Sequence, residues 1–149
     1  MTLFIVLSAK YLVYPIALAG LGVLWIVWSW RNLLFALCSL ALSYALGILG
    51  GHLWYNARPF MSDGIQPLFT HAANNGFPSD HTLLGVAVAS IVFAWNRTLG
   101  VVLLILALWV GAARVLSGIH HIVDILGAAV IAILSTAVVS WALKRFFPR

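Results

Sequence analysis

An all-α integral membrane protein, built as a bundle of about five transmembrane helices, is what the sequence predicts, and three observations predict it. Of the 149 residues, 64% are hydrophobic and only 7% charged, where a soluble domain carries about a quarter charged residues. The mean hydropathy is +1.09. The apolar residues also fall into runs, each with at most one charged residue, that approach or exceed the roughly 20 residues needed to cross a bilayer.

The first run is Tyr11–Trp30. It is preceded by ten residues that are apolar apart from Lys10. The stretch after that charge is too long for a signal-peptide core, so the segment reads as a retained anchor with an interfacial lead-in. Arg31-Asn32 separates it from Leu33–Tyr55, and a polar segment with Pro and Gly, Asn56–Asp80, follows. The third run, His81–Trp95, is short for a crossing and is expected to gain a turn from its flanks or to begin below the interface. Asn96-Arg97-Thr98 leads to Leu99–Ser117, and Gly118 separates that run from Ile119–Leu143. Five spans use up residues 1–149 as one membrane-embedded domain and leave no room for a soluble one. The single cysteine, Cys38, excludes an internal disulfide and a cysteine-based metal cluster.

With an odd number of spans, Arg31, Arg97, Lys144, Arg145 and Arg149 share one face, and Lys10, Arg58 and Arg114 the other. The positive-inside bias puts the first set in the cytoplasm. The pI near 10.0 then reports orientation in a lipid bilayer, and no nucleic-acid partner is implied. The Asn56–Asp80 loop and the Ser117–His121 turn both face outward.

Ionisable residues at membrane depth are expensive and therefore candidates for function. Here they gather at the outward helix ends: Arg58 after the second span, Ser79-Asp80-His81 opening the third, Arg114 closing the fourth, and His120, His121 and Asp124 opening the fifth. Two arginines offer planar forks for phosphate oxygens, and a helix starting near Pro78-Ser79 presents free amides to an anion. His120 and Asp124, four apart, would share a helix face, so that the carboxylate orients the imidazole as a nucleophile. His81 could supply a proton to a leaving group. His121, rotated about 100° from its neighbour, should face elsewhere, and His71 reads as a loop residue.

Arg58-Pro59, then Pro78-Ser79-Asp80-His81, then Arg114 with His120 and Asp124 resemble the three-part signature of the type 2 phosphatidic acid phosphatase (PAP2) superfamily of membrane lipid phosphatases. Within it, the segment from His71-Ala72-Ala73 to Phe77-Pro78-Ser79-Asp80-His81-Thr82 resembles undecaprenyl-diphosphate phosphatases of the bacitracin-resistance type. The resemblance implies a PAP2/haloperoxidase-like helical fold and a phosphohistidine on His120, oriented by Asp124. It further implies that His81 protonates the leaving oxygen and that Arg58, Ser79 and Arg114 bind the phosphoryl group, with neither metal nor cofactor. The implied substrate is undecaprenyl diphosphate, cleaved at the outer face of a bacterial inner membrane to recycle the cell-wall lipid carrier.

Three positions depart from the pattern: Gly51 stands where many members carry a lysine, Ala113 where serine is usual, and Asp80 where glycine is usual. Gly47 and Gly51 suggest close helix packing instead, and His52 and Asp80 are candidate modulating residues. Two other functions compete. One keeps the site and changes the reaction to hydrolysis of phosphatidic acid or phosphatidylglycerol phosphate, or to phosphate transfer. The other, a non-enzymatic ion or proton pathway, would spread its charges through the bilayer depth instead of gathering them at one face.

Overall fold

The computed structural model describes residues 1–147. Arg149, counted above among the cations of one face, lies outside the described residues. Seven helices follow in order: α1 (Thr2–Tyr11), α2 (Val13–Ile26), α3 (Trp30–Leu53), α4 (Pro59–Ser62), α5 (Asp80–Trp95), α6 (Arg97–Leu116) and α7 (Ile122–Phe146). Counting α1 and α2 as one bent rod, and setting aside the single turn of α4, five apolar helices make the bundle. α3, α6 and α7 are each long and apolar enough to cross a membrane, and the α1–α2 pair passes only jointly, across a 42° bend.

Several boundaries differ from those the sequence predicts: α7 runs three residues later than expected at both ends, α3 starts three residues early, and two shifts lie near the N-terminus. Helix begins at Thr2, so the lead-in is a helix in its own right, packed against α6, and the chain bends at Leu12. α2 ends at Ile26 and not at Trp30; Ser29 then caps α3, its side chain accepting from Asn32 N at 3.1 Å.

α5 gains no turns from its flanks, since extended Ser79 and Asn96 bound it at 16 residues, a rise of ~24 Å. Its surroundings explain its length. α6, α7, α2 and α3 all pack on it, and nine of its residues, Thr82 to Val92, are buried. A helix apolar on every side belongs inside a bundle, and one shielded from lipid need not match the bilayer. Close approach depends on small residues: a Cβ on Gly85 would sit 3.0 Å from that of Ala107. The large side chains that remain exposed, among them Leu18, Trp25, Ile105, Leu126 and Leu134, form the outward surface that hydrocarbon would cover.

The Gly47–Gly51 stretch does pack closely. A Cβ at Gly47 would lie 2.8 Å from Leu83 Cδ2, and one at Gly51 would lie 3.0 Å from the Phe77 carbonyl oxygen. The chain between α3 and α5 therefore folds back over one end of the bundle. It is tied there by Gly76 N to Asn56 O (2.8 Å), Leu68 N to Ser117 O (3.0 Å) and Ser79 N to Asp124 O (3.2 Å). These bonds put the long loop and the α6–α7 turn at the same end.

Candidate active site

Four ionisable side chains at that end are almost fully enclosed: Arg58 is 5% exposed, Arg114 4%, His120 2% and Asp124 0%. Charge so deep costs several kcal/mol per ion unless it is partnered, and the partners are specific.

Arg58 precedes a proline, which disfavours the α region for it; its extended backbone (φ −68°, ψ 153°) starts α4 with Pro59 in the first turn. Its side chain donates from Nε to Asn74 Oδ1 (3.0 Å), from Nη2 to Asn75 O (3.1 Å), and from Nη1 to both Ile119 O (2.9 Å) and His120 Nε2 (3.1 Å). Arg114, in the last turn of α6, donates from Nη1 to Ala9 O of α1 (3.1 Å) and from Nη2 to His120 Nε2 (3.3 Å) and His71 Nε2 (3.2 Å). Its Nε is buried with no partner among the described residues, leaving one N–H for an oxyanion.

His120 does not lie on a helix, contrary to the expectation of a shared helical face. It sits in the turn before α7, whose N-cap is His121. Asp124 reaches it because the carboxylate at the third helical position folds back over the helix start. Its Oδ2 accepts from His121 N (2.9 Å) and lies 3.1 Å from His120 Nδ1, while Oδ1 accepts from Asn56 Nδ2 (2.7 Å). One residue thus caps α7 and orients the imidazole.

The tautomer follows from the donors. Guanidinium has no acceptor, so His120 Nε2 must offer a lone pair to Arg58 and Arg114, and Nδ1 must carry the proton given to Asp124. Burial pushes the His120 imidazole down to about 4, against the raising effect of its Asp124 hydrogen bond and with further lowering by Arg114 and Arg58. The ring is therefore neutral at physiological pH, with its unprotonated nitrogen aimed between two cations.

The other expected residues fall around this centre. Ser79 is fully buried, and its hydroxyl accepts from Thr82 Oγ1 at 3.2 Å. His81, half-buried on the first turn of α5, is within electrostatic reach of Arg114, His120 and His71. Asp80 is exposed and opens α5, where a carboxylate complements the helix dipole. It and His52 line a recess of about 280 Å³ beside Arg58; His52 points its Nδ1 to Ile48 O at 2.8 Å and is not brought to His120. His121 directs its Nε2 to Ala57 O at 3.1 Å, and it lines a cavity of about 690 Å³ together with His120. Gly51 cannot be replaced by a cationic side chain without displacing the Phe77 backbone. Lys10 stacks over Phe69, 4.4 Å from the ring centroid.

Four residues join the centre that the sequence reading left aside: His71, Asn56, Asn74 and Asn75. His71 is a loop residue, as expected, but its ring centroid lies 6.4 Å from that of His120 and both rings contact Arg114. Burial and the Arg58 charge lower its affinity for a proton. The only signal for the asparagines was an unusual density of amides in the loop.

A guanidinium pair around a neutral imidazole suits in-line attack on phosphorus, because phosphoryl transfer gains chiefly from positioning and charge stabilisation. Comparisons with known proteins agree in kind. The model of the PAP2 superfamily matches residues 32–148. The bacitracin transport permease protein BcrC of Bacillus licheniformis is 33% identical over 141 residues, 92% of this chain and 69% of the relative. The undecaprenyl-diphosphatase BcrC of Bacillus subtilis (strain 168) is 33% identical over 110 residues, 71% of this chain and 55% of that protein. Among solved structures, Aquifex aeolicus LpxE superimposes with a TM-score of 0.78 at 20% identity, over 94% of this chain and 85% of that one, a likeness of fold.

Proposed function

The chain belongs to the PAP2 superfamily, and from that premise we propose that it is a membrane lipid phosphatase that hydrolyses undecaprenyl diphosphate to undecaprenyl phosphate and inorganic phosphate. The observation that carries the reading is the His120 lone pair, held between Arg58 and Arg114 at 3.1 and 3.3 Å while Asp124 takes the opposite ring proton.

In the proposed reaction the terminal phosphate takes up donors from Arg58 and Arg114, including the spare Arg114 Nε–H, and its arrival frees the His120 lone pair. Nε2 then attacks the terminal phosphorus. The bond to the bridging oxygen breaks, and His81, which takes up a proton as the anionic diphosphate binds beside it, gives that proton to the undecaprenyl phosphate that leaves. Asp124 stabilises the imidazolium-like phosphohistidine. Water attacks that phosphorus next, His81 takes its proton, and inorganic phosphate departs with His120 restored. Ser79 and the adjacent start of α5 complete the phosphate seat, and Asp80 and His52 tune the potential of the neighbouring recess. The site faces outward from a bacterial inner membrane, with the cation-rich end in the cytoplasm.

The substrate rests on the relative named an undecaprenyl-diphosphatase and on the motif around Ser79-Asp80-His81. A second reading, carriage of a lipid without chemistry, is suggested by the relative named a transport permease. Carriage has no need of an oriented histidine lone pair, so one variant separates the two. With undecaprenyl diphosphate radiolabelled at the terminal phosphate, the wild-type chain should yield an acid-labile, alkali-stable label on His120. In His120→Ala the label should vanish and phosphate release fall by at least roughly 10³-fold. Retained hydrolysis would overturn the mechanism, and faster release from phosphatidic acid or phosphatidylglycerol phosphate would move the substrate to those lipids.

A further inference from the structure

The opposite end of the bundle carries a second feature that phosphatase chemistry does not use. α3, α5, α6 and α7 enclose there a cup of about 640 Å³ lined by Arg31, Arg97 and Lys144 with Asn32 and Trp95. A cleft of about 330 Å³ continues from it, sharing the walls made by Phe35, Phe93, Ala94 and Ser140, and running on between Leu104 of α6 and Ile133 and Ala137 of α7. The cleft exists because α6 and α7 each pack extensively on α5 and touch each other little, and because alanine and glycine line its floor.

Charge at the cup is one-sided. All three acidic residues of the chain, Asp63, Asp80 and Asp124, belong to the other end. Arg31 is already engaged, donating from Nη1 to Phe147 O (2.6 Å) and from Nη2 to Leu143 O (3.2 Å) at the end of α7. Among the described residues Arg97 and Lys144 have no such partner, and both are exposed at the rim. A basic cup opening into an apolar cleft on the lipid-facing side of a bundle has the polarity of one molecule: an anionic headgroup with a hydrocarbon chain.

We infer that this cup and cleft bind an anionic phospholipid of the leaflet at that end, its phosphate between Arg97 and Lys144 and one acyl chain lying between α6 and α7. The site is distinct from the His120 centre and holds the lipid as a resident ligand, with no reaction at it.

The test uses the full chain in detergent, mixed separately with dioleoyl phosphatidylglycerol and dioleoyl phosphatidylcholine, with retained lipid counted by native mass spectrometry. Phosphatidylglycerol should be retained at least about tenfold better. In Arg97→Gln/Lys144→Gln its retention should fall about thirtyfold, at roughly fivefold per cation. Arg145→Gln removes a cation that stacks on Phe146 and does not line the cup, and should change retention less than about twofold. Ala137→Leu, at an exposed cleft position, should weaken retention several-fold without loss of thermal stability. Equal retention of both lipids, an unchanged double variant, or an Arg145→Gln loss as large as that of the double variant would each overturn the site. So would displacement of phosphatidylglycerol by millimolar inorganic phosphate, since the occupant would then be a free anion.

Discussion

The two ends of the bundle hold similar numbers of cations and use them in opposite ways. At the His120 end, Arg58 and Arg114 are buried, and five of their six guanidinium nitrogens have partners. At the other end Arg97, Lys144 and Arg145 are exposed, and among the described residues Arg31 alone is pinned, to backbone carbonyls. Identity of charge therefore predicts little about role. Enclosure and fixed geometry mark a cation for chemistry, because a preorganised donor needs no reorganisation when charge develops. An exposed cation on a flexible stem answers to the field of the membrane and the headgroups.

Three measurements would break or sharpen this contrast. The largest effect is expected from a pair of charge-preserving substitutions. Arg58→Lys keeps the positive charge and loses the fork that spans Asn74, Asn75, Ile119 and His120, so phosphate release should fall by about 10²–10³-fold. Arg97→Lys should leave it within about twofold. Activity retained in Arg58→Lys as fully as in Arg97→Lys would mean that charge alone matters and that the buried fork does not.

A smaller effect is expected at Asp124. An amide at that position could present N–H to His120 Nδ1 and favour the wrong tautomer, which in an oriented catalytic histidine can cost ~10⁴-fold. Here two guanidinium donors also demand a lone pair on Nε2, and they resist the switch. Asp124→Asn should therefore lose only ~10²-fold in phosphate release, in the range of an outer partner that orients a ligand. A loss near 10⁴-fold would show that the arginines do not hold the tautomer.

The smallest signal is spectroscopic. With its proton affinity lowered by burial to about 4, His120 should show a neutral, Nδ1-protonated ring in histidine-labelled NMR spectra from pH 8 down to about 5. An ordinary imidazole would already be mostly protonated at pH 6. The sign follows from the direction of the shift: lowering the value extends the window of the unprotonated nucleophile toward acid. A ring titrating near 6.5 would mean that the site is wetter than its packing indicates.

Much of this was legible in the residues alone, for a physical reason. In a chain so apolar, a polar side chain at a helix end stands out, and Arg58, Ser79, His81, Arg114, His120 and Asp124 did so with ordered spacing. The class of fold followed from the same scarcity. What stayed hidden depends on how backbone reverses direction. Asp124 meets His120 by folding over a helix start, which a helical spacing rule reaches by the wrong route. His71, Asn56, Asn74 and Asn75 enter only because a loop of more than twenty residues lies back across the helix ends. The bend at Leu12 did have a signal, masked by the apolar run: Pro15, in the first turn of α2, offers no N–H to the Tyr11 carbonyl and its ring crowds that group, so α1 ends there.

The enclosure of α5 has a consequence for how such a protein tolerates different membranes. Only Asp80, Phe93 and Ala94, at its two ends, are exposed, so the helix that carries Ser79 and His81 has almost no boundary with hydrocarbon. When a bilayer thickens or thins, the outer helices can tilt to follow it, and the inner one has nothing to follow. The height of Ser79 and His81 is then fixed by protein against protein, as a piston is held by its cylinder and not by the fluid around it. Lipids of different chain length would meet the same site at the same depth.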